Sequence, residues 1–286
     1  MKQFHQSILV ILSVLILGCA PETSVDSTLK VMTFNIRLNL PSDGDNAWPN
    51  RKEKAASMVR FYAPDLLGVQ EAFQGQVHDL AERLPAYGWI GVGRDDGQQA
   101  GEYMAIFYLK SRFKVLNENT FWLSEHPERP GLGWDAAYNR VVTWAYFEDL
   151  STGNKIYHFN THFDNQGAVA RTESAKLLLK QMTALGGEAP QILTGDFNCY
   201  PNTEPHAILT GSKLLSDARL ISQTPHHGPS RTMNRFDLAS LSSTEPPIDH
   251  VFVTAHFSVL KHGTLSDTFD GYFPSDHMPV LVQLDL

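Results

Sequence analysis

Ser275-Asp276-His277-Met278-Pro279-Val280 sets an acid beside an imidazole next to an apolar run. Moving back along the chain, residues of the same kinds cluster in Ile248-Asp249-His250, Thr194-Gly195-Asp196-Phe197-Asn198, Asn160-Thr161-His162-Phe163-Asp164, Gln70-Glu71 and Thr33-Phe34-Asn35-Ile36-Arg37. Acid, amide and imidazole are the side chains that hold a hard divalent cation, orient a water and move a proton, so together they point to a metal-assisted hydrolytic site. No single cluster is sufficient. Their joint occurrence within one domain's length of chain carries the reading.

The apolar runs set the frame. Leu29 to Ile36 is β-rich, Arg51 to Tyr62 is an amphipathic helix, and Pro64-Asp65 restarts the chain into a buried strand, Leu66 to Val69, which delivers Gln70-Glu71. Gln74 to Leu84 reads as a second helix. Strands are expected at Tyr103 to Leu109, Phe113 to Phe121, Val141 to Phe147 and Ile156 to Asn160. A helix follows at Ala168 to Leu185, then a strand at Gln191 to Leu193 that runs into Gly195-Asp196. Pro201 to Pro247 reads as loop-rich, and strands at Val251 to Val253, Phe257 to Leu260 and Val280 to Leu284 close the chain. Strands outnumber helices and helices follow strands in both halves, which suits an α/β fold of two packed sheets with helices outside.

In this order and spacing the clusters resemble those of the endonuclease/exonuclease/phosphatase superfamily, and the resemblance runs from about Leu29 to Leu286. It implies a four-layer α/β sandwich, two packed mixed β-sheets flanked by helices, in one catalytic domain spanning residues 29–286. It also implies a role for each cluster. Glu71 and Asp276 match metal-site carboxylates, and Asn35 the amide that steadies an oxygen near the metal. Asp196 matches the carboxylate that orients or deprotonates the attacking water, and Asn198 the amide that holds the phosphate or the aspartate. His277 matches the catalytic imidazole and Asp249 the carboxylate that orients it, a pairing that fixes the tautomer and raises the basicity of the ring.

Some of these residues have plainer readings as well. Alone, Asn35 would be a turn amide, Glu71 a helix-capping carboxylate and Gly195-Asp196-Phe197-Asn198 an Asx turn. Asp196 and Asn198, two apart in extended chain, would point the same way. His250 neighbours Asp249 in a strand, so it should face the opposite side and be structural. His162 and Glu102 match a second acid–imidazole pair on the leaving-group side. Arg140 matches a phosphate-contacting arginine, or else is a surface arginine at a strand start. Asp164 follows His162 by two and is expected on the same side, against metal or substrate. Arg94, Asp95, Asp96 and Trp134 lie in the glycine-rich loops Gly91 to Gly97 and Pro130 to Asp135, and are expected at the pocket mouth.

The N-terminus is a separate segment. An uncharged apolar stretch from Ile8 to Leu17 leads into Gly18-Cys19; it is too short to span a bilayer and has the layout of a secretory signal. Residues 1–18 are therefore expected to be a signal peptide, with Cys19 as the lipid-modified end of a bacterial lipoprotein and residues 19–28 as a tether. The protein would be exported and held to the cell envelope through that lipid only. Of the two cysteines only Cys199 then remains, so no disulfide is expected within the mature chain.

Formal net charge is −8, and no run of Lys or Arg occurs, so tight sequence-independent binding of long nucleic acid has no footprint. The expected activity is that of a phosphoesterase dependent on Mg²⁺ or Mn²⁺, acting by in-line water attack on a phosphodiester, slightly favoured, or on a phosphomonoester. Ligands of oxygen and amide type, with no His/Cys cluster, favour such a hard cation over zinc. A monomer is expected, with nucleic acid still possible as substrate. The alternatives are a nuclease of the DNase I kind and a surface-binding lipoprotein that keeps the fold without catalysis.

Overall fold

The computed structural model describes Met1 and residues 28–286; the expected signal segment, Cys19 and the tether up to residue 27 lie outside the described residues. In chain order the elements are β1 (Leu29–Asn35), α1 (Trp48–Tyr62), β2 (Leu66–Gln70), α2 (Gln74–Arg83), β3 (Tyr87–Ile90), β4 (Ile106–Leu109), β5 (Phe113–Trp122), β6 (Val141–Asp149), β7 (Lys155–His162) and α3 (Ala168–Gly186). They continue as β8 (Gln191–Asp196), α4 (Glu204–Gly211), β9 (Ser216–Asp217), α5 (Ala218–Ile221), β10 (Asp249–Val253), β11 (Ser258–Thr264) and β12 (Val280–Asp285).

The strands form two sheets of six, ordered β11-β12-β1-β2-β4-β3 and β5-β6-β7-β8-β10-β9. The pairs β1–β2 and β7–β8 are parallel and the others antiparallel, so both sheets are mixed. Strand alternation builds the layers. In β1, Val31 packs with Leu66, Ile106, Phe147, Ile192 and Val251 between the sheets, whereas Met32 and Phe34 pack under α1 and α2 with Met58, Val59, Val77 and Leu80. On the far side Phe159, Leu193 and Phe252 pack with Leu178 and Met182 of α3 and Leu209 of α4. This is the four-layer sandwich. The helix α1 stops at Ala63, whose φ of 46° is left-handed, because Pro64 follows and cannot continue the helix.

Register decides what the sandwich can do. Asn35 lies opposite Gln70 in one sheet. In the other, His162, Asp196 and Asp249 occupy one row across β7, β8 and β10. Just below, a buried polar seam joins the sheets. Gln70 Nε2 donates to Asn160 Oδ1 at 2.6 Å and to Thr33 Oγ1 at 3.0 Å, and Asn160 Nδ2 donates to the carbonyls of Val69 and Ala105 at 2.9 and 3.0 Å. Gly68 lets the sheets close at this point, since a Cβ there would collide with Thr194 Oγ1 and Asn160 Oδ1. Hydrogen bonds of this kind in a low-dielectric interior favour one relative placement of the two sheets, although Gln70 Oε1 has no partner among the described residues.

Two expected elements differ. The strand expected from Tyr103 starts only at Ile106; Tyr103 makes isolated bridges to Ala72 and Gly93, and the Ala105 carbonyl accepts from the Val69 amide at 2.8 Å ahead of the regular ladder. The stretch expected as loop between Pro201 and Pro247 contains α4, β9 and α5, elements too short to print a period on the sequence.

Candidate active site

All the site residues that come from strand ends meet at one edge of the sandwich. A cavity of about 470 Å³ is lined by Arg37, Glu71, Glu102, Tyr138, Arg140, His162, Asn165, Asp196, Asn198, Asp276 and His277, with Leu38, Leu40 and Met233. Two of its residues, Glu71 and Asn198, follow strand ends with left-handed φ of 61° and 45°, and Arg37 follows β1 with φ of 59°. Such conformations cost on the order of 1–2 kcal/mol for a residue with a side chain and persist only where the surroundings hold them. Here the side chains do so. Asn35 Nδ2 and the Leu38 amide donate to Glu71 at 2.9 and 3.2 Å, Asn35 Oδ1 accepts from the Arg37 amide at 3.0 Å, and Asn198 Nδ2 donates to the Phe163 carbonyl at 3.0 Å.

One end of the cavity is acidic. His277 Nδ1 lies 2.8 Å from Asp249 Oδ2 and its Nε2 lies 3.8 Å from Asp196 Oδ2. Burial alone would lower the pKa of this ring, but Asp249, Asp196 and Asp276 raise it well above the usual histidine value. The Asp196 carboxyl is itself pushed up, first by burial and then by Asp249. Asp276 is raised by burial and by Glu71. Asn35 Nδ2 donates to both Glu71 and Asp196, at 2.9 and 3.0 Å. The carboxylates of Glu71, Asp196, Asp249 and Asp276 face the charged His277 ring and the Arg37 guanidinium, which is 3.8 Å from Asp276 and shared with Asp43, so negative charge is in excess. Glu71 and Asp276, with Asp196 beside them, are hard oxygen donors that fit a divalent cation, whereas Asn35, expected as a further ligand, turns its Nδ2 toward Glu71 and Asp196 and its Oδ1 toward the Arg37 amide, and so steadies the carboxylates.

The other end is cationic. Asn198 Nδ2, oriented by the Phe163 carbonyl, lies 2.9 Å from His162 Nε2, so this ring nitrogen accepts and the proton sits on Nδ1. Burial, then Arg140 and Arg94, lower the His162 pKa well below the usual value and keep the ring neutral. Its Nδ1 has no hydrogen-bond partner among the described residues and stands 4.0 Å from Glu102 Oε2. Glu102 binds Arg94 Nη1 at 2.7 Å instead, and burial lifts its carboxyl to about 7. Arg140 is 4 % exposed; its Nε and Nη2 donate to Asp164 and Asn165, both at 3.2 Å, and its Nη1 has no partner among the described residues.

Several expected placements change. Asp196 and Asn198 come together through a turn and not through strand alternation: β8 ends at Asp196, and the Asn198 amide donates to Asp196 Oδ1 at 2.9 Å, an Asx turn inside the site. Asp164 does not face the cavity. Beyond His162 the chain bends, and Asp164 is buried, accepting from the amides of Ala137, Tyr138, Gln166 and Gly167 as well as from Arg140. It anchors Arg140, and Asn165 takes the cavity position. Arg94 sits behind the wall, against Glu102 and over the Tyr138 ring at 5.2 Å. Asp95 is exposed, and Asp96 accepts from the Gln98 and Ala100 amides of its own turn. Trp134 is outside the cavity: left-handed φ at Trp134, after a Gly133 packed on the Leu123 carbonyl, turns it toward α3, where it lines a separate depression with Glu125 and Leu177.

Three contributors carried no signal in the sequence. Tyr138 lines the cavity from the loop before β6, where only the neighbouring Arg140 hinted at function. Asn165 lay next to Asp164 without an assigned role. Arg51 was readable only as a helix residue. It is 1 % exposed, and its guanidinium donates to the carbonyls of Asn46, Ile36, Arg37 and Pro274, tying the loop after Asn35 to the segment that enters Ser275-Asp276-His277.

A model of the endonuclease/exonuclease/phosphatase family matches residues 32–277. The chain belongs to this family. It is similar to a mannosyl-6-phosphatase from Bacteroides thetaiotaomicron, with 39 % identity, 90 % of this chain and 100 % of that one covered, and a TM-score of 0.86. A family member from Bacteroides vulgatus superposes with a TM-score of 0.87 at 37 % identity, over 91 % of this chain and 99 % of that one. Among curated relatives, rat nocturnin is 24 % identical over 279 residues, 88 % of this chain and 63 % of that protein. The chain spans only 37 % of a probable RNA exonuclease of Schizosaccharomyces pombe that it also matches.

Proposed function

We propose that this protein is a divalent-metal-dependent phosphoesterase whose first substrate class is the phosphomonoester of a small polyhydroxylated alcohol, a sugar phosphate. The observation that carries the reading is the two-signed wall of one cavity, with crowded carboxylates at one end and Arg140, holding an unpaired Nη1, at the other. Monoesters come ahead of diesters for two reasons. Glu102, Tyr138 and Asn165 give this small cavity acceptors and donors for hydroxyl groups, and the mannosyl-6-phosphatase is matched over its whole length.

In this reading Glu71 and Asp276 would hold Mg²⁺ or Mn²⁺, with Asn35 steadying Glu71 and Asp196, and the ion would supply positive charge to polarise the phosphoryl oxygens and offset the acidic end. Asp196 orients the attacking water, and its raised pKa suits it to accept a proton near neutral pH. Asp249 keeps His277 charged to stabilise negative charge developing on the phosphoryl group. Arg140 Nη1 and the His162 Nδ1 proton are the unpaired donors left for phosphate or leaving-group oxygens. Asn198 holds the His162 ring in place.

Initial rates on a hexose 6-phosphate, bis-p-nitrophenyl phosphate and a single-stranded oligonucleotide with Mg²⁺ test the order. The monoester should lead in kcat/KM by about tenfold or more, a margin near 1.4 kcal/mol. A leading diester or oligonucleotide overturns it in favour of the nuclease reading. We also propose that the protein is exported and lipid-anchored, from Gly18-Cys19 alone. Cys19→Ala should abolish fatty-acid labelling, and equal labelling of both forms would remove that proposal.

A further inference from the structure

A second and larger cavity, of about 600 Å³, lies between the start of α3 and the loop that leads into α4. It adjoins the first at one residue: Asn198, the amide that holds His162, lines both. Its character is different. The cations Arg171 and Lys176 are balanced by the carboxylates Glu173 and Glu204, and within it Lys176 Nζ meets Glu173 at 2.7 Å while Thr172 donates to Glu204 at 3.2 Å. Tyr200 presents its ring at 44 % exposure.

A run of phosphates would need surplus positive charge here, and none is present. Balanced charges of both signs beside a half-exposed aromatic residue suit instead a neutral unit rich in hydroxyls, with its apolar C–H face on the ring and its hydroxyls on the polar side chains. We propose that this cavity is a subsite for a second sugar unit, glycosidically linked to the one that carries the phosphate, so that the preferred substrate is a phosphorylated oligosaccharide and not a free sugar phosphate. This rests on the sugar-phosphate reading of the neighbouring cavity. Asn198 would mark the border between the unit that loses phosphate and the unit that is only held.

The test compares a hexose 6-phosphate with a disaccharide that carries the same 6-phosphate, using the full chain with Mg²⁺. The disaccharide should have the higher kcat/KM, by about tenfold, chiefly through KM. Tyr200→Ala should remove that advantage and leave the hexose phosphate unchanged, whereas Tyr200→Phe should keep it. Equal kcat/KM for the two substrates in the wild type, or equal losses on both in Tyr200→Ala, would overturn the proposal. A short oligonucleotide whose hydrolysis leads and is lost in Tyr200→Ala would overturn it too, by assigning the cavity to nucleic acid. Should neither sugar phosphate be hydrolysed, the underlying reading fails. The subsite is then judged by calorimetric binding of the unphosphorylated disaccharide: binding that Tyr200→Ala abolishes upholds it, and no binding overturns it.

Discussion

His277 and His162 stand in one cavity, both almost fully buried, yet their surroundings drive them in opposite directions. Burial lowers the pKa of each ring. At His277 three carboxylates reverse that effect, and at His162 two arginines add to it. The difference shows how a site can hold a cation and an anion a few ångströms apart. One end collects negative charge and keeps an imidazolium, and the other keeps a neutral imidazole and N–H groups without partners among the described residues, which in the proposed function would take a metal and a phosphate respectively. Pairs of titratable groups pushed apart in this way are how one fold separates its acid and base roles.

The largest expected effect comes from the acidic end. His277→Ala and Asp196→Asn should each slow turnover by roughly 10²–10⁴ with the fold intact, as when a positioned proton-transfer or charge-stabilising group is removed. Asp249→Asn should approach the His277 loss, because Nδ1 then faces an amide. Single-turnover rates and circular dichroism together check this, and a variant with near wild-type rate would remove His277 from the chemistry.

At the cationic end the comparison can be inverted. Arg140→Gln removes one cause of the lowered His162 pKa, so that ring should titrate at higher pH, while Asp249→Asn should move His277 downward. Side-chain NMR titration of the metal-free protein reads both. Arg140→Gln should also raise KM for the phosphoester. If the two rings moved the same way, the opposed charge of the two ends would be refuted.

Much of the site could be read in the sequence, because it hangs from strand ends. The residues His162, Asp196 and Asp249 each end or begin an apolar run, and regular ladders put such residues in one row. The structure departs from that reading where the chain leaves the ladder. The left-handed turns at Glu71 and Asn198 re-aim side chains in ways that a two-residue period does not encode. Asp164 bends inward to saturate its oxygens on five donors, and Arg51 acts through carbonyls distant in sequence. Neither leaves a periodic trace. Trp134 was placed by loop composition, and the backbone at Gly133 and Trp134 turns it elsewhere.

A smaller effect separates the site from the core. His158 sits in the polar seam, bonded through Nε2 to Thr194 at 2.9 Å with no carboxylate among the causes of its shift, and burial lowers its pKa to about 3. The unfolded chain binds a proton near the ordinary value of 6.5 and the folded chain does not. Its contribution to stability is therefore full above about pH 6.5 and lost as pH falls toward 3, at about 1.4 kcal/mol per pH unit. Denaturant unfolding between pH 7 and 4 should show a shallower loss in His158→Gln than in wild type. Parallel slopes would mean that this imidazole is protonated in the fold.

The claim that the acidic end is a metal site is tested most directly by phosphate release from a hexose 6-phosphate after exhaustive EDTA treatment, before and after Mg²⁺ or Mn²⁺ is restored, in wild type and in Glu71→Gln. Activity should vanish with EDTA and return with either ion, and the variant should need a higher ion concentration for half-activation. Full turnover in excess EDTA, or identical half-activation in the two proteins, would contradict it.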